Sequence, residues 1–420
     1  MKNKDKMIVP KLRFKEFELN PAWKIYKLGN LTKPVTGKTN GKLYTLMSVT
    51  SGEGLVSQVE KFGREIAGNS YKNYYVIQEN DFAYNKSATK LYPEGYIAML
   101  QGQENAALPN SIFTCFRFTD KNICVKYFDH LFHSNYHGKW LKQYITVGAR
   151  ANGALTVDNK HLWSMSVALP TEKDEQQKIA DCLTSLDELI TAESKKLELL
   201  QDHKKGLMQK LFPAEGKTIP EWRFPEFRDG GEWGFVELND VGEIITGKTP
   251  STNDSSLWNG NIQFVTPTDI TEEKYQLTTS RTVAHLDKIK ILPIGTVMFT
   301  CIASIGKMSI STQLCITNQQ INSIIPYANY DNSFIYYILS SMVNSIKELA
   351  GKQAVPIINK TLFSSIEIKI PNTFEEQQKI ADCLSSVDSF ILEQSNKIEQ
   401  LKEHKKGLMQ GLFPSVEEVE

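Results

Sequence analysis

Two stretches of 39 residues align without a gap at an offset of 201: "EQQKIADCLTSLDELITAESKKLELLQDHKKGLMQKLFP" from Glu175 to Pro213, and "EQQKIADCLSSVDSFILEQSNKIEQLKEHKKGLMQGLFP" from Glu376 to Pro414. They are identical at 26 of those 39 positions. An internal repeat of this quality means a chain built as two like halves, whatever its local structure. In the first copy apolar residues recur alternately four and three apart, at Ile179, Leu183, Leu186, Ile190, Leu197, Leu200, Leu207 and Leu211. The second copy has Ile380, Leu384, Val387, Ile391, Ile398, Leu401, Leu408 and Leu412. Polar Glu193, Lys204, Gln394 and Lys405 fill the remaining slots of a sustained heptad seam. Each copy is expected to form one helix of roughly 58 Å. Thr171 with Asp174, and Asn372 with Glu375, read as N-caps backed by an acid three residues on. Pro213 and Pro414 read as the stops.

The flanks repeat more loosely. "LRFKEF", with Trp23 after it, parallels "WRFPEF", with Trp233 after it. "TGKT" stands at Thr36–Thr39 and again at Thr246–Thr249. "DNKHLW", ending at Trp163, parallels "INKTLF", ending at Phe363. Residues 126–145 and 332–351 are amphipathic helix candidates, while "NDFAYNKS", "SIFTCFRF", "GTVMFT" and "INSIIP" read as short strands between turn signals. The expected fold is α+β: two similar mixed globular units, 1–170 and 214–371, separated by two long helices, 171–213 and 372–414, with a tail at 415–420. An antiparallel pairing of the helices would relate the two units by a pseudo-twofold. In the simplest register Glu193 faces Lys405 and Lys204 faces Gln394.

The stretch "GEIITGKTPS" satisfies the phosphate-loop pattern G-x-x-x-x-G-K-[ST] through Gly242, Gly247, Lys248 and Thr249. That pattern works only where a helix follows and aims its first N–H groups at the phosphates. Here Pro250 and a loop-like "STNDSSLWNG" follow, and the first copy has Thr32 in place of Gly242. The match reads as coincidence. Cys115, Cys124, His130, His133 and His137 fit no usual zinc spacing, and no nucleophile–base pair stands out. The six cysteines lie far apart without a CxxC, which fits reduced thiols. No apolar run approaches the roughly 20 residues that span a bilayer, and the first residues have no apolar core of signal-peptide length. A cytoplasmic binding protein without a membrane role is expected.

The zero formal net charge hides a gradient. Residues 1–174 carry 24 Lys+Arg against 15 Asp+Glu, whereas residues 214–374 carry 13 against 16 and residues 375–420 carry 5 against 10. A basic first third suits a polyanion partner; the acidic later segments require more selective polar contacts.

The "EQQKIADCL…KKGLMQKLFP" elements, the "RFPEF…W" opening and "TGKTPS" together resemble the specificity subunit of type I restriction–modification systems, over the whole chain and in the order of parts. The resemblance implies two target-recognition domains on double-stranded DNA. It implies helices that space these domains and dock two methyltransferase subunits, and it allows two motor-nuclease subunits to join. It implies no catalytic or metal site and no cofactor in this chain, AdoMet, ATP and magnesium belonging to the partners. No NPPY- or DPPY-type tetrapeptide occurs, which sets the chain apart from single-chain relatives that carry the chemistry themselves. Two unlike domains on a spacer suit a bipartite, asymmetric site with halves about one helical turn apart.

Base edges are read by Asn, Gln, Arg, Lys, Ser and Thr. Matched loops rich in these types give the candidate DNA-binding residues. They are Asn85, Lys86, Ser87, Lys90, Arg150 and Asn152 in the first unit, and Thr266, Thr268, Lys307, Asn318, Gln319, Lys352 and Gln353 in the second. Candidates for helix pairing and partner docking are the seam residues Ile179, Leu183, Leu186, Ile190, Leu197, Leu200, Ile380, Leu384, Val387, Ile391, Ile398 and Leu401. A coiled-coil scaffold or adaptor that binds proteins is the alternative of a different class. A nucleotide-hydrolysing enzyme would bind ATP through Lys248 and lose it in Lys248→Ala. Calorimetric titration of the unaltered chain is expected to show no ATP binding at all.

Overall fold

The computed structural model describes residues 7–50, 52–65, 70–147, 155–284, 289–351 and 356–419. Two compact units emerge: the first joins two separated pieces of chain, Met1–Ala192 and Ile398–Glu420, and the second is the continuous stretch Glu193–Lys397.

In the first unit, strands β1 (Thr32–Pro34), β2 (Phe82–Asn85), β3 (Tyr96–Met99) and β4 (Phe113–Phe118) form an antiparallel sheet in the order β1-β4-β2-β3. A second, mixed sheet is centred on Thr45–Thr50, which pairs antiparallel with Gly54–Ser57 and parallel with Asn105–Leu108. A helix α1 (Val125–His133) packs on the main sheet through Phe128 and Phe132, which meet Phe82, Phe116 and Phe118 edge-on or tilted. Strands Trp23–Lys27 and Ser166–Leu169 close the unit and lead into the long helix α2 (Lys173–Leu211).

The second unit repeats this plan. Its strands β5 (Gly242–Thr246), β6 (Val297–Thr300), β7 (Met308–Ser311) and β8 (Ile321–Pro326) stand in the order β5-β8-β6-β7, with Tyr275–Gln276 added parallel to β7. Its mixed sheet is centred on Trp258–Val265, antiparallel to Arg281–Val283 and parallel to Cys315–Thr317. The helix α3 (Asn332–Leu349) covers the main sheet, and Gly234–Glu237 pairs with Glu367–Ile370 before the long helix α4 (Phe374–Leu412). The strands expected at 80–87, 111–118, 295–300 and 321–326 are all present as core strands.

One helix expectation fails. Residues 126–145 do not continue as one helix: α1 stops at His133 and a second helix runs Tyr136–Leu141. Asn135 between them adopts φ 58°, a left-handed conformation that Asn tolerates. Gly138 backs onto it so closely that a Cβ there would lie 2.2 Å from the Asn135 Oδ1.

The long helices contribute their ends to globular cores. Within the first unit Ile179, Ala180 and Leu183 of α2 share a core with Leu412, Phe413, Val416 and Val419, the last two on a short helix Val416–Val419. Within the second, Leu211 and Phe212 share a core with Ile380, Ala381 and Leu384 of α4. The helix segments therefore run antiparallel inside each unit. Further along the seam Val387 and Ile398 are buried, and Leu186, Ile190, Leu197, Leu200, Ile391 and Leu401 are half-buried.

The polar register differs from expectation. The Gln394 amide donates to the Glu193 carboxylate at 2.7 Å and to its backbone carbonyl at 2.9 Å. Lys204 pairs with Asp388 at 2.6 Å, and Lys405 pairs with Asp187. The long lysine side chains reach acids flanking the seam instead of stacking as polar layers within it. Asp187 and Asp388 are counterparts at the 201-residue offset, as are Lys204 and Lys405, so the same ion pair forms in both units. The caps also shift. Thr373, not Asn372, accepts the Glu376 N–H (3.3 Å), while the Asn372 amide donates to the carbonyls of Gly230 and Glu232. In the first copy the helix starts at Lys173, which leaves Thr171 outside the cap position.

Near the start of each long helix the Glu and the first Gln of "EQQ" are buried and engaged, while Gln177 and Gln378 are exposed. Arg13 makes a two-pronged pair with Glu175 (2.7 and 2.8 Å), and Trp23 Nε1 donates to the same carboxylate at 3.0 Å. Arg223 makes the same pair with Glu376, both bonds 2.6 Å. The next residue holds the domain helix: Gln176 accepts the Cys124 N–H (2.9 Å) and Gln377 the Asp331 N–H (3.1 Å). Those two residues are the N-caps of α1 and α3. Counted from them, His130 and Tyr337 occupy one equivalent place, His130 Nε2 on Thr184 Oγ1 (3.0 Å) and Tyr337 donating to Asp388.

Removing one partner of a buried ion pair strands the other, at a cost of about 3–5 kcal/mol. Arg223→Ala should therefore lower the denaturation midpoint of the second unit sharply, and an unchanged unfolding curve would refute the role given to the pair. A pH asymmetry also follows. Burial first, and Lys405 second, hold the His130 imidazole down at about 4, and burial does the same for His137. Both are neutral when folded but take a proton below about 6.5 when unfolded. Their contribution is complete above that pH and is lost as pH falls towards 4, on the order of 3 kcal/mol each. Hydrogen exchange at pH 5 against pH 7 should show the first unit loosening more than the second, where Tyr337 does not titrate in this range.

Candidate nucleic-acid interface

Because β1 and β2 both run antiparallel to β4, their C-terminal ends emerge at one end of the main sheet; β5 and β6 do the same against β8. Most of the sequence-predicted DNA-binding residues lie at this end of each unit.

In the first unit β2 ends at Asn85, opposite Phe113. Lys86 donates its N–H to Ile112 (3.2 Å) and accepts the Leu155 N–H (2.8 Å), so the turn before β4 and the strand at Leu155 converge on it. Its side chain is not extended to solvent. The Lys86 ammonium donates to Asn159 Oδ1 at 2.6 Å, beside the Thr114 hydroxyl on the same oxygen, and burial lowers its pKa. Lys86 is thus a brace under the surface. Asn85 and Ser87 are half-buried, and among the described residues the Asn85 Oδ1 has no hydrogen-bond donor. Lys90 stands exposed on a turn closed by the Thr89 N–H to the Tyr92 carbonyl and the Tyr92 N–H to Thr89 Oγ1, both 3.1 Å.

In the second unit Cys301, just after β6, accepts the Ile358 N–H at 2.9 Å, the counterpart of the Lys86–Leu155 bond. The turn from Cys301 to Lys307 folds back on Thr300, whose Oγ1 donates to Ser304 and accepts the Lys307 N–H; Lys307 itself is exposed. Gln320 accepts the Cys301 N–H (2.7 Å), and Asn318 donates to Val265 (3.1 Å), which joins this turn to residues 317–320 and to the Thr266–Asp269 turn. Several predicted readers are partly occupied here. Thr266 uses its N–H and hydroxyl on Asp269, and Asn318 makes both its side-chain bonds to Gln320. Gln319 is exposed and accepts the Thr249 hydroxyl at 2.7 Å, and Thr268 is exposed beside Thr266. Arg150, Asn152, Lys352 and Gln353 lie outside the described residues.

The phosphate-loop pattern is dissolved by the fold. Gly242–Thr246 is the strand β5, and a Cβ on Gly242 would lie 2.5 Å from the Ile325 carbonyl. The next helical element is a single turn, Ser255–Leu257. The histidines are engaged individually: His137 Nε2 with the Gly95 carbonyl (3.3 Å) and His133 Nδ1 with the Asp129 carbonyl (2.8 Å). Among the described residues no group of three His, Cys, Asp or Glu could hold a metal ion, and no helix is long and apolar enough to cross a membrane. The bracing role of Asn159 was not legible, since it lies 73 residues from Lys86. The placement of both TGKT turns at this end could have been suspected from their recurrence in the two copies.

The chain resembles known proteins in sequence and in fold. A family model for the type I restriction modification DNA specificity domain matches residues 23–202 and 230–403. The MjaIX specificity subunit of Methanocaldococcus jannaschii is 31% identical over 169 residues, which are 38% of this chain and 39% of that protein. The HindI specificity subunit of Haemophilus influenzae is 32% identical over 170 residues, 39% of this chain and 37% of that protein. These two matches thus span about two fifths of the relatives' own length. In fold, the chain is similar to a crystal structure of a type I restriction–modification S subunit from M. genitalium (TM-score 0.61, 14% identity, 97% of this chain and 100% of that one). It is also similar to a chain from a structure on complex assembly and conformational transition of the type I R-M system (TM-score 0.59, 16% identity, 94% and 98%). With both halves matched by the same model and both units built to the same plan, the chain belongs to the type I restriction–modification DNA specificity family.

Proposed function

We propose that this chain is the non-catalytic DNA-reading subunit of a type I restriction–modification complex, each unit reading one half of a bipartite, asymmetric site in double-stranded DNA. The observation that carries the reading is the pairing of one fold plan with two unlike sets of loop residues at the same end of the sheet. A shared scaffold places two readers alike, and different loop chemistry makes them read different bases. Lys90 in the first unit and Thr268, Lys307 and Gln319 in the second are the foremost described readers. Arg150, Asn152, Lys352 and Gln353 join them as candidates on the adjoining segments. Lys86, Thr266 and Asn318 shape the loops that carry the readers.

Two methyltransferase subunits dock on the long helices, and two motor-nuclease subunits can join them. AdoMet, ATP and magnesium act in those subunits, in the cytoplasm. The seam residues are consumed by packing within the chain, so docking uses outward-facing apolar residues such as Leu189, Leu199, Phe390 and Leu392, all exposed. The functional segments are 1–170 and 214–371 for recognition and 171–213 and 372–414 for spacing and docking, with 415–420 beyond them.

The test is methylation mapping in a host that lacks adenine modification, with the cognate methyltransferase co-expressed. A bipartite, asymmetric methylated motif that depends on this chain is expected. A folded, AdoMet-binding methyltransferase that leaves the DNA unmodified would overturn the reading in favour of a protein-binding scaffold.

A further inference from the structure

The TGKT turns find no use in nucleotide binding, yet they occupy one equivalent place in both units. Each follows the edge strand of the main sheet, β1 or β5, and leaves at the end where the candidate reading loops gather. In the first unit the chain on either side of Lys38 is fixed. Gly37 accepts the Val76 N–H at 2.9 Å, Thr39 donates its N–H to Tyr74 at 3.0 Å, and the buried Thr39 hydroxyl donates to Tyr71 at 2.6 Å. In the second unit Gly247 donates to Ile321 at 3.1 Å and lies so close to Asn318 that a Cβ would come within 2.1 Å of its carbonyl oxygen. Thr249 is held by Gln319 on the other side of Lys248.

Two different sets of partners thus fix the chain around equivalent lysines that follow the edge strand, each with its side chain exposed. Among the described residues neither lysine forms an ion pair, unlike Lys290 with Glu243 or Lys204 with Asp388. The reading loops of the two units differ, as two different half-sites require. What two unlike half-sites have in common is the sugar–phosphate backbone. A feature repeated in both readers suits the repeated part of the ligand.

We propose that Lys38 and Lys248 each neutralise a backbone phosphate of their half-site and set the register of the unit on the duplex without reading sequence. This rests on the DNA-reading function proposed above. The contact matters most in the second unit, where residues 214–374 carry 13 Lys+Arg against 16 Asp+Glu and offer little diffuse attraction.

The test uses the assembled complex of this chain with its methyltransferase subunits. Fluorescence anisotropy follows binding to a duplex bearing the mapped site and to an unrelated duplex, over a salt series. Lys38→Ala and Lys248→Ala should each weaken both duplexes several-fold and reduce the slope of log affinity against log salt by about one. The methylated motif should stay unchanged, and Lys38→Arg and Lys248→Arg should keep the slope of the unaltered complex. An unchanged slope, or a methylated motif altered in one half, would overturn the phosphate assignment while leaving the DNA-reading function intact. An unaltered complex with no preference for the mapped duplex would overturn both.

Discussion

A guanidinium locked on a carboxylate in a dry pocket ties each globular unit to its long helix. Arg13 on Glu175 and Arg223 on Glu376 are nearly inaccessible to water, and further N–H groups donate to backbone carbonyls, those of Asn20 and Pro21 in the first unit and of Gly231 in the second. Such a pair adds little net stability over an apolar replacement, but it is intolerant of being half-made. That intolerance gives it a positional role. The segment before the first strand, the start of the long helix and, through the neighbouring glutamine, the start of the domain helix can come together in one arrangement only. The repeated "RF-EF…W" and "EQQ" elements are the two sides of this junction. The tryptophans differ in detail, since Trp23 donates to Glu175 while the buried Trp233 Nε1 finds no acceptor among the described residues.

What could be read from the sequence was what is encoded locally and repeated. A heptad seam 39 residues long leaves no doubt about a helix, and short apolar runs between turn signals marked the main-sheet strands. The break at Asn135 was hidden because the amphipathic pattern continues across it; a single left-handed residue changes direction without changing hydrophobic period. The parallel pairing inside the mixed sheets was hidden too, since Thr45–Thr50 and Asn105–Leu108 are partners only through the fold. The helix register is not encoded by seam position alone, because lysine reach decides which acid is met. At the candidate interface, loop chemistry singled out Lys90, Thr268, Lys307 and Gln319, which stand exposed. It could not tell them from Lys86 and Asn318, whose polar groups are turned inward on partners distant in sequence or two residues away.

The recurrence of one plan under diverged surfaces explains how the same scaffold can carry different loop sets. The lengths of the β2–β3 and β6–β7 connections differ, yet both begin from the same bond, Lys86 to Leu155 and Cys301 to Ile358. Anchors placed at strand ends allow the loops between them to change without disturbing the sheet.

The first unit holds residues 408–419 inside its core, against Tyr127 and the start of α2, while everything the second unit needs lies between Glu193 and Lys397. On a ribosome the chain is made from its N-terminus, and the order of completion is therefore the reverse of the order of synthesis. The second unit has all its parts while the first still waits with an open groove beside Ile179 and Leu183. Closing that groove joins segments some two hundred residues apart, a step whose entropic cost grows only logarithmically with the length between them. The unit begun first is the one finished last, and until then its apolar floor is exposed to whatever binds nascent chains.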